Sequence, residues 1–178
     1  MAEQIALGID SNPGCEAMVR CLPAVSSTSE QTIASIPEQG PAYAELTDLE
    51  TCDGLILGSP GYFGNMAAPV KYFLDQTSQY WLAGKLIDKP AGVFTSTSSM
   101  HGGQESVLLS MMIPLLHHGM VISGIPYSEP SLNRTNTGAT PYGPSHVAGQ
   151  SGRDLSNDEI AACQTLGKRI SALATKLK

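Results

Sequence analysis

One stretch limits the folds open to this chain more than any other. An apolar strand, Ala91 to Phe94, runs into the small residues Thr95, Ser96, Thr97, Ser98 and Ser99; Met100, His101 and the pair Gly102-Gly103 follow, and a helix starts near Gln104-Glu105. A strand that feeds a helix through a tight, small-residue turn is the unit of a parallel α/β sheet, and in open sheets of that kind ligands bind outside the carboxyl ends of the strands. Small residues let the backbone approach a flat or charged ligand closely. Unpaired N–H groups at the helix start favour anionic or carbonyl oxygens. The stretch therefore reads as half of a cofactor site.

A second strand-and-loop unit supplies a partner. Gly54 to Pro60 is a short apolar run bounded by Gly and Pro, as expected of a strand buried on both faces of a parallel sheet. Gly61, Tyr62, Phe63, Gly64, Asn65 and Met66 follow, then a predicted helix from about Ala67 to Gln76 with Pro69 in its first turn, where a missing N–H costs nothing. If the two strands are adjacent, both loops lie on one edge of the sheet.

The remaining segments extend the same pattern. Ile5, Ala6 and Ile9 recur at helical spacing, so Met1 to Ile9 is predicted helical, with Asp10 to Gly14 as its stop. Glu16 to Leu22 suits a strand. Ser26 to Ala44 lacks any sustained period and is expected to be a surface loop, and Glu45 to Thr51 a short helix or turn. A helix is expected from Gly103 to His118, ended by Gly119 and kinked or broken at Pro114, then a buried strand from Met120 to Ser123. Gly124 to Leu155 is too irregular for assignment. Ser156 and Glu159 form a capping box for a last helix to Lys176, with Ile160, Cys163, Leu166, Gly167, Ile170 and Leu173 facing inward. Strands alternating with helices predict a single three-layer α/β domain over residues 1–178 with a parallel sheet.

Composition narrows the function classes. Lys and Arg number 10 against 16 Asp and Glu, a formal charge of -6, which argues against a broad nucleic-acid footprint. No apolar run is long enough to span a bilayer and no signal peptide is visible, so a cytoplasmic protein without membrane association is expected. Cys15, Cys21, Cys52 and Cys163 show no metal-ligand spacing and no metal is expected. The stretch Gly58-Ser59-Pro60-Gly61 lacks the spacing of a nucleophile elbow, and neither a Walker A loop nor G-x-G-x-x-G is present.

Among the aromatic and imidazole residues, two readings stand side by side. Tyr62 and Phe63 suit a planar ring or simple packing; Trp81, the single Trp, suits a second aromatic wall or packing. His101 is a site residue or a solvated loop residue. His117 and His118 point about 100° apart on a helix and do not chelate one metal as a pair; each is a helix-end residue or, if that end faces the pocket, a site residue.

Four blocks then carry a resemblance: Gly58 to Ala67 continued by Phe73-Leu74-Asp75-Gln76-Thr77 and Trp81; Val93 to Glu105; Leu115 to Val121; and Thr140-Pro141-Tyr142-Gly143 with Ala148-Gly149. Together they resemble the WrbA family of flavodoxin-like NAD(P)H:quinone oxidoreductases. The resemblance implies a flavodoxin-like sheet of order 2-1-3-4-5, FMN as cofactor, NAD(P)H and a quinone as substrates, and a homotetramer. It places Gly61, Tyr62 and Phe63 beside the flavin ring and Ser96, Thr97, Ser98, Ser99, Met100, His101, Gly102 and Gly103 in the second flavin loop. His117 matches the flavin-side histidine and Trp81 the aromatic wall at the substrate side. Flavin carries the redox chemistry itself, so no acid–base triad is implied. Where the family often has Thr-Arg, this chain has Gly61-Tyr62. Met1 to Ile5 matches the middle of the family's first helix, with no first strand or phosphate loop before it; the expectation is that Met1 is an internal Met of a longer protein or, if the chain starts there, that FMN binding is weak or absent.

Overall fold

A computed structural model describes residues 1–25 and 37–178. The expected loop from 26 to 44 lies partly outside the described residues; its part from 37 onward is irregular apart from one isolated bridge at Tyr43. The elements are α1 (Ala2–Asp10), α2 (Leu46–Thr51), β1 (Leu55–Tyr62), β2 (Asn65–Met66), α3 (Ala68–Asp75), α4 (Ser78–Leu82), β3 (Pro90–Thr97), α5 (Gln104–His117), β4 (Val121–Ile122), α6 (Ser131–Arg134), β5 (Ser145–Val147) and α7 (Asn157–Leu177).

The sheet has the order β2-β1-β3-β4, with β5 also on β3. β1, β3, β4 and β5 are parallel; the two-residue β2 alone is antiparallel, folded back on β1 by a tight hairpin. β3 is the centre. It pairs with β1 from Leu55↔Ala91 to Pro60↔Ser96, with β4 at its amino end and with β5 at its carboxyl end. Six of its eight residues are buried, as befits a strand covered on both faces.

The two faces are covered by different helices. α5 packs Val107, Leu108, Met111 and Leu115 onto β1 and β3, joined by Leu74 of α3 and Leu49 of α2. On the other face α7 buries Ala162, Leu166 and Ile170, and α1 lies against α7. Glycine permits that last contact: a Cβ at Gly8 would collide with the Gln164 backbone, and one at Gly167 with the carbonyl of Ile5.

Four expectations need correction. Residues 16–22 are not a strand, although burial still alternates: Ala17, Val19 and Cys21 are half-buried, Glu16, Met18 and Arg20 exposed. The chain is extended but makes only the isolated bridge Cys21↔Tyr43, because a strand requires a neighbouring backbone and β1 presents no strand partner opposite β3 before Gly61 among the described residues. Pro114 does not break α5. It stands in the last turn, where it deletes only one intrahelical bond, and its own carbonyl accepts the N–H of His118 at 3.1 Å. The segment from 124 to 155, irregular in sequence, contributes α6 and the fully buried β5. The strand expected from Met120 to Ser123 is shortened to Val121–Ile122.

Candidate functional site

The carboxyl ends of β1 and β3 lie side by side, and both expected loops leave from them. The first is a two-residue hairpin. Tyr62 pairs with Asn65, and Phe63 and Gly64 between them have φ of 51° and 74°. Positive φ at both central positions is the pattern of a type I′ turn. Glycine adopts it freely; Phe63 does so at a cost, and its side chain stands fully in solvent at 106% relative exposure. A strained, exposed aromatic contributes nothing to the core and is suited to lie against a planar ligand.

The second loop spans 97–103. Ser98, Ser99, Met100 and His101 are exposed, whereas its two ends are anchored. Thr97 Oγ1 donates to the Ser99 carbonyl at 2.9 Å, and the buried Gln104 donates from Nε2 to Thr97 Oγ1 at 3.2 Å. Ser145 Oγ of β5 in turn donates to Gln104 Oε1 at 3.0 Å. Gln104 is a positioning residue that periodicity alone does not reveal; its only signal is its place at the first turn of a helix that follows two glycines.

The loops touch each other through glycine. A Cβ at Gly103 would lie 3.0 Å from Gly64 Cα, and one at Gly61 would lie 2.8 Å from Thr97 Cγ2. Gly102 is equally confined by Thr97, at 2.7 Å. The expected residues Gly61, Tyr62, Phe63, Ser96, Thr97, Ser98, Ser99, Met100, His101, Gly102 and Gly103 thus form one continuous edge.

Beside this edge lies a cavity of about 520 Å³, between the amino end of α1 and the carboxyl ends of β1 and β3, with Ser59, Ser96, His146 and Arg153 in its wall. Its floor is fastened by Glu159, the N3 residue of the α7 capping box, whose carboxylate is fully buried. Glu159 accepts the N–H groups of Gly138, Val147 and Ser156, the guanidinium of Arg153, and His146 Nδ1 at 3.1 Å. Burial pushes its carboxyl up, but the backbone N–H bonds and His146 more than offset this and hold it below the usual carboxylate value. The sequence marks Glu159 as a cap; its second role as the hub of β5 and the cavity wall depends on residues 13 and 21 positions away.

Trp81 and His117 are placed elsewhere. Val121 is in register with Pro90, at the amino end of β3, and the Asp88 N–H donates to the Gly119 carbonyl at 3.0 Å. α5 therefore returns its carboxyl end, with His117, to the opposite edge of the sheet. Eight residues of β3 separate the two edges, roughly 25 Å at the rise of a strand. At that far corner Trp81 Nε1 donates to the His117 carbonyl at 2.8 Å, and both side chains are exposed. They stand together, at the edge of the sheet opposite the two loops of their own chain.

Small-residue loops at the carboxyl ends of adjacent parallel strands, with an exposed aromatic hairpin and a cavity beside a helix start, define a flavodoxin-like cofactor domain. An isoalloxazine ring fits the chemistry of this edge, which offers exposed aromatic surface at Tyr62 and Phe63 and the hydroxyls of Ser96, Ser98 and Ser99. The fold agrees with a WrbA-like flavodoxin from Agrobacterium tumefaciens, at TM-score 0.56 and 24% identity over 74% of this chain and 72% of that one, and with a flavodiiron protein from Giardia intestinalis, at TM-score 0.51 and 10% identity over 99% of this chain and 32% of that one. Residues 18–129 match the NADPH-dependent FMN reductase family. The chain is 40% identical to an NAD(P)H dehydrogenase (quinone) of Geobacter sulfurreducens, over 99% of this chain and 91% of the relative, and matches that of Syntrophobacter fumaroxidans equally. The chain belongs to the NADPH-dependent FMN reductase family. Among the described residues no helix is long and apolar enough to cross a membrane, and no cluster of His, Cys, Asp and Glu could hold a metal ion.

Proposed function

We propose that this protein is an NAD(P)H:quinone oxidoreductase that works through FMN. The observation that carries the reading is the joining of the two loops, Gly64 against Gly103, at the carboxyl edge of a chain of this family. FMN would supply the redox chemistry, a two-electron link between NAD(P)H and the quinone. The chain's own residues supply position and surroundings. Gly61, Gly102 and Gly103 let the two loops close on each other and so shape the edge that the ring meets. Tyr62, Phe63 and Met100 cover its apolar surface and exclude water. Ser96, Ser98, Ser99 and His101 offer polar groups to its edge, while the buried Thr97 hydroxyl anchors the loop from within.

Trp81 and His117 enter the reading through assembly. Lying some 25 Å from the loops of their own chain by strand rise, they reach a flavin only as part of another subunit's site. This supports the homotetramer implied by the family resemblance, with Trp81 and His117 of one subunit forming the substrate-side wall of another. A cytoplasmic location and a single domain over residues 1–178 complete the proposal.

The test is a titration of the purified chain with FMN, followed through loss of flavin fluorescence, and then NAD(P)H oxidation with and without a benzoquinone. Weak, readily reversed flavin uptake and, with FMN in excess, quinone-dependent oxidation are expected. Flavin uptake without quinone turnover would reassign the protein as an electron carrier, and no uptake would make it a binding or scaffold protein of the same fold.

A further inference from the structure

The far corner contains a buried side-chain relay that the loops, the cavity and the family assignment leave without a role. Thr77 precedes α4 and is 1% exposed; His118 follows α5 and is 7% exposed. Their side chains meet, His118 Nε2 to Thr77 Oγ1, at 2.8 Å. Thr77 Oγ1 also donates to the Leu74 carbonyl at 2.6 Å. A hydroxyl has one proton. Since the Leu74 carbonyl takes it, the Thr77 oxygen is an acceptor towards His118, and Nε2 carries the hydrogen. His118 Nδ1 is then a bare lone pair, buried and with no hydrogen-bond partner among the described residues.

This arrangement ties together the two elements that present Trp81 and His117. Trp81 is four residues after Thr77, its N–H bonded to the Thr77 carbonyl at 3.0 Å. His117 is adjacent to His118. α4 and the end of α5 are thus joined twice, by the buried Thr77–His118 bond and by the exposed Trp81–His117 bond. The exposed bond competes with water and is worth little alone; the buried one is costly to leave unmade. The buried bond therefore determines how the two exposed side chains stand.

We propose that Thr77 and His118 are positioning residues that hold Trp81 and His117 in the geometry presented to substrate, and that protonation of His118 releases it. The second half follows from the orphaned nitrogen: a proton on Nδ1 creates a buried N–H donor and a charge with no acceptor, and the corner must open to hydrate them. Burial, and then the neighbouring His117, accordingly push the His118 imidazole below its ordinary value. The other titratable groups of this corner leave it uncompensated. Asp75 is paired with Lys71 and Lys85 with Glu50, Tyr80 is half-buried on α4, and Asp88 is exposed.

The substrate side of this proposal rests on the quinone reductase reading, but Trp81, the single tryptophan, reports on the corner without any turnover. The experiment records emission and acrylamide quenching of Trp81 in the purified full chain from pH 8 to pH 5. It compares the native chain with Thr77→Val, Thr77→Ser and His118→Gln, with thermal melts to confirm that each is folded. In the native chain Trp81 becomes several-fold more open to quencher on acidification. Thr77→Val is open already at pH 8, Thr77→Ser behaves as native because it keeps the hydroxyl, and His118→Gln loses the pH-dependent transition although His117 remains. With FMN and a benzoquinone, Thr77→Val raises KM about fivefold with kcat little changed. A transition that persists in His118→Gln, or equal quenching in all four chains, overturns the proposal. A Trp81 response with unchanged KM overturns its substrate role. Native protein that shows the Trp81 response but no quinone turnover sinks the enzymatic reading while leaving the relay in place.

Discussion

The two ends of the sheet are built by opposite means. At the carboxyl edge, glycines let the two loops close on each other: Gly64 meets Gly103, Gly61 meets the Thr97 side chain, and the aromatic side chains project outward. At the amino edge, side chains fasten side chains, with Thr77 on His118 and Trp81 on the His117 carbonyl. The first arrangement makes a shaped, open edge whose loop ends are anchored from within by Thr97, Gln104 and Ser145. The second makes a defined orientation of two exposed rings, and it depends on one protonation state. The cavity wall at the carboxyl edge shares the logic of the second through Glu159, so the comparison is sharpest between the glycine loops and the two buried polar hubs.

Disabling a hub should cost most. Glu159→Gln removes a buried charge on which five donors converge, and is expected to destabilise the fold by about 3 kcal/mol, lowering Tm by roughly 9 °C for a chain of this size. Because the Glu159 carboxyl is held below its ordinary 4.5, its contribution is present above that pH and lost as pH falls through the lower folded value. Native chain but not Glu159→Gln should show that loss in chemical denaturation at graded pH. An equal acid sensitivity in both would remove Glu159 from the account.

Gly103→Ala tests the loops. With φ of 79° and Gly64 Cα 3.0 Å from the added methyl, it should cost about 1–2 kcal/mol of stability and weaken FMN binding by at least tenfold, measured by flavin fluorescence. Unchanged FMN affinity would mean that the contact between the loops is incidental to the site.

At the far corner the effect is smaller and depends on pH. His118 is neutral in the fold and pushed below its ordinary 6.5 by burial, so its contribution is complete above that pH and declines as pH falls below it. Native stability should drop by about 1 kcal/mol between pH 7 and 5 beyond any loss in His118→Gln. The smallest stability change belongs to Phe63→Ala. Phe63 is wholly exposed, and alanine keeps the Cβ that strains the positive φ, so stability should move by less than about 0.5 kcal/mol while FMN affinity falls. A large loss of stability would show that Phe63 serves the core rather than a ligand.

Local chemistry explains what was legible in the chain. Glycine–proline boundaries and apolar runs mark β1 and β3, a capping box marks the start of α7, and Gly119 marks the end of α5. The residues proposed for the flavin edge are contiguous in two short segments, so the sequence offers them as candidates without any knowledge of packing. Residues 16–22 show the limit of periodicity, since alternation of burial survives there without any ladder. β5 was unreadable because Ser145-His146-Val147 has no apolar run; β3 and Glu159 hold it in place.

By itself the sequence determined the strand–loop–helix units, their order, and the small, hydroxyl-rich character of the loops, because each depends on neighbours within a few positions. Only the tertiary structure decided that Trp81 and His117 stand at the opposite edge from those loops, that Glu159 is a buried hub, and that His118 carries its hydrogen on Nε2. Each of these is settled by a partner far along the chain, and hydrogen-bond capacity at a buried atom is fixed by what surrounds it in space.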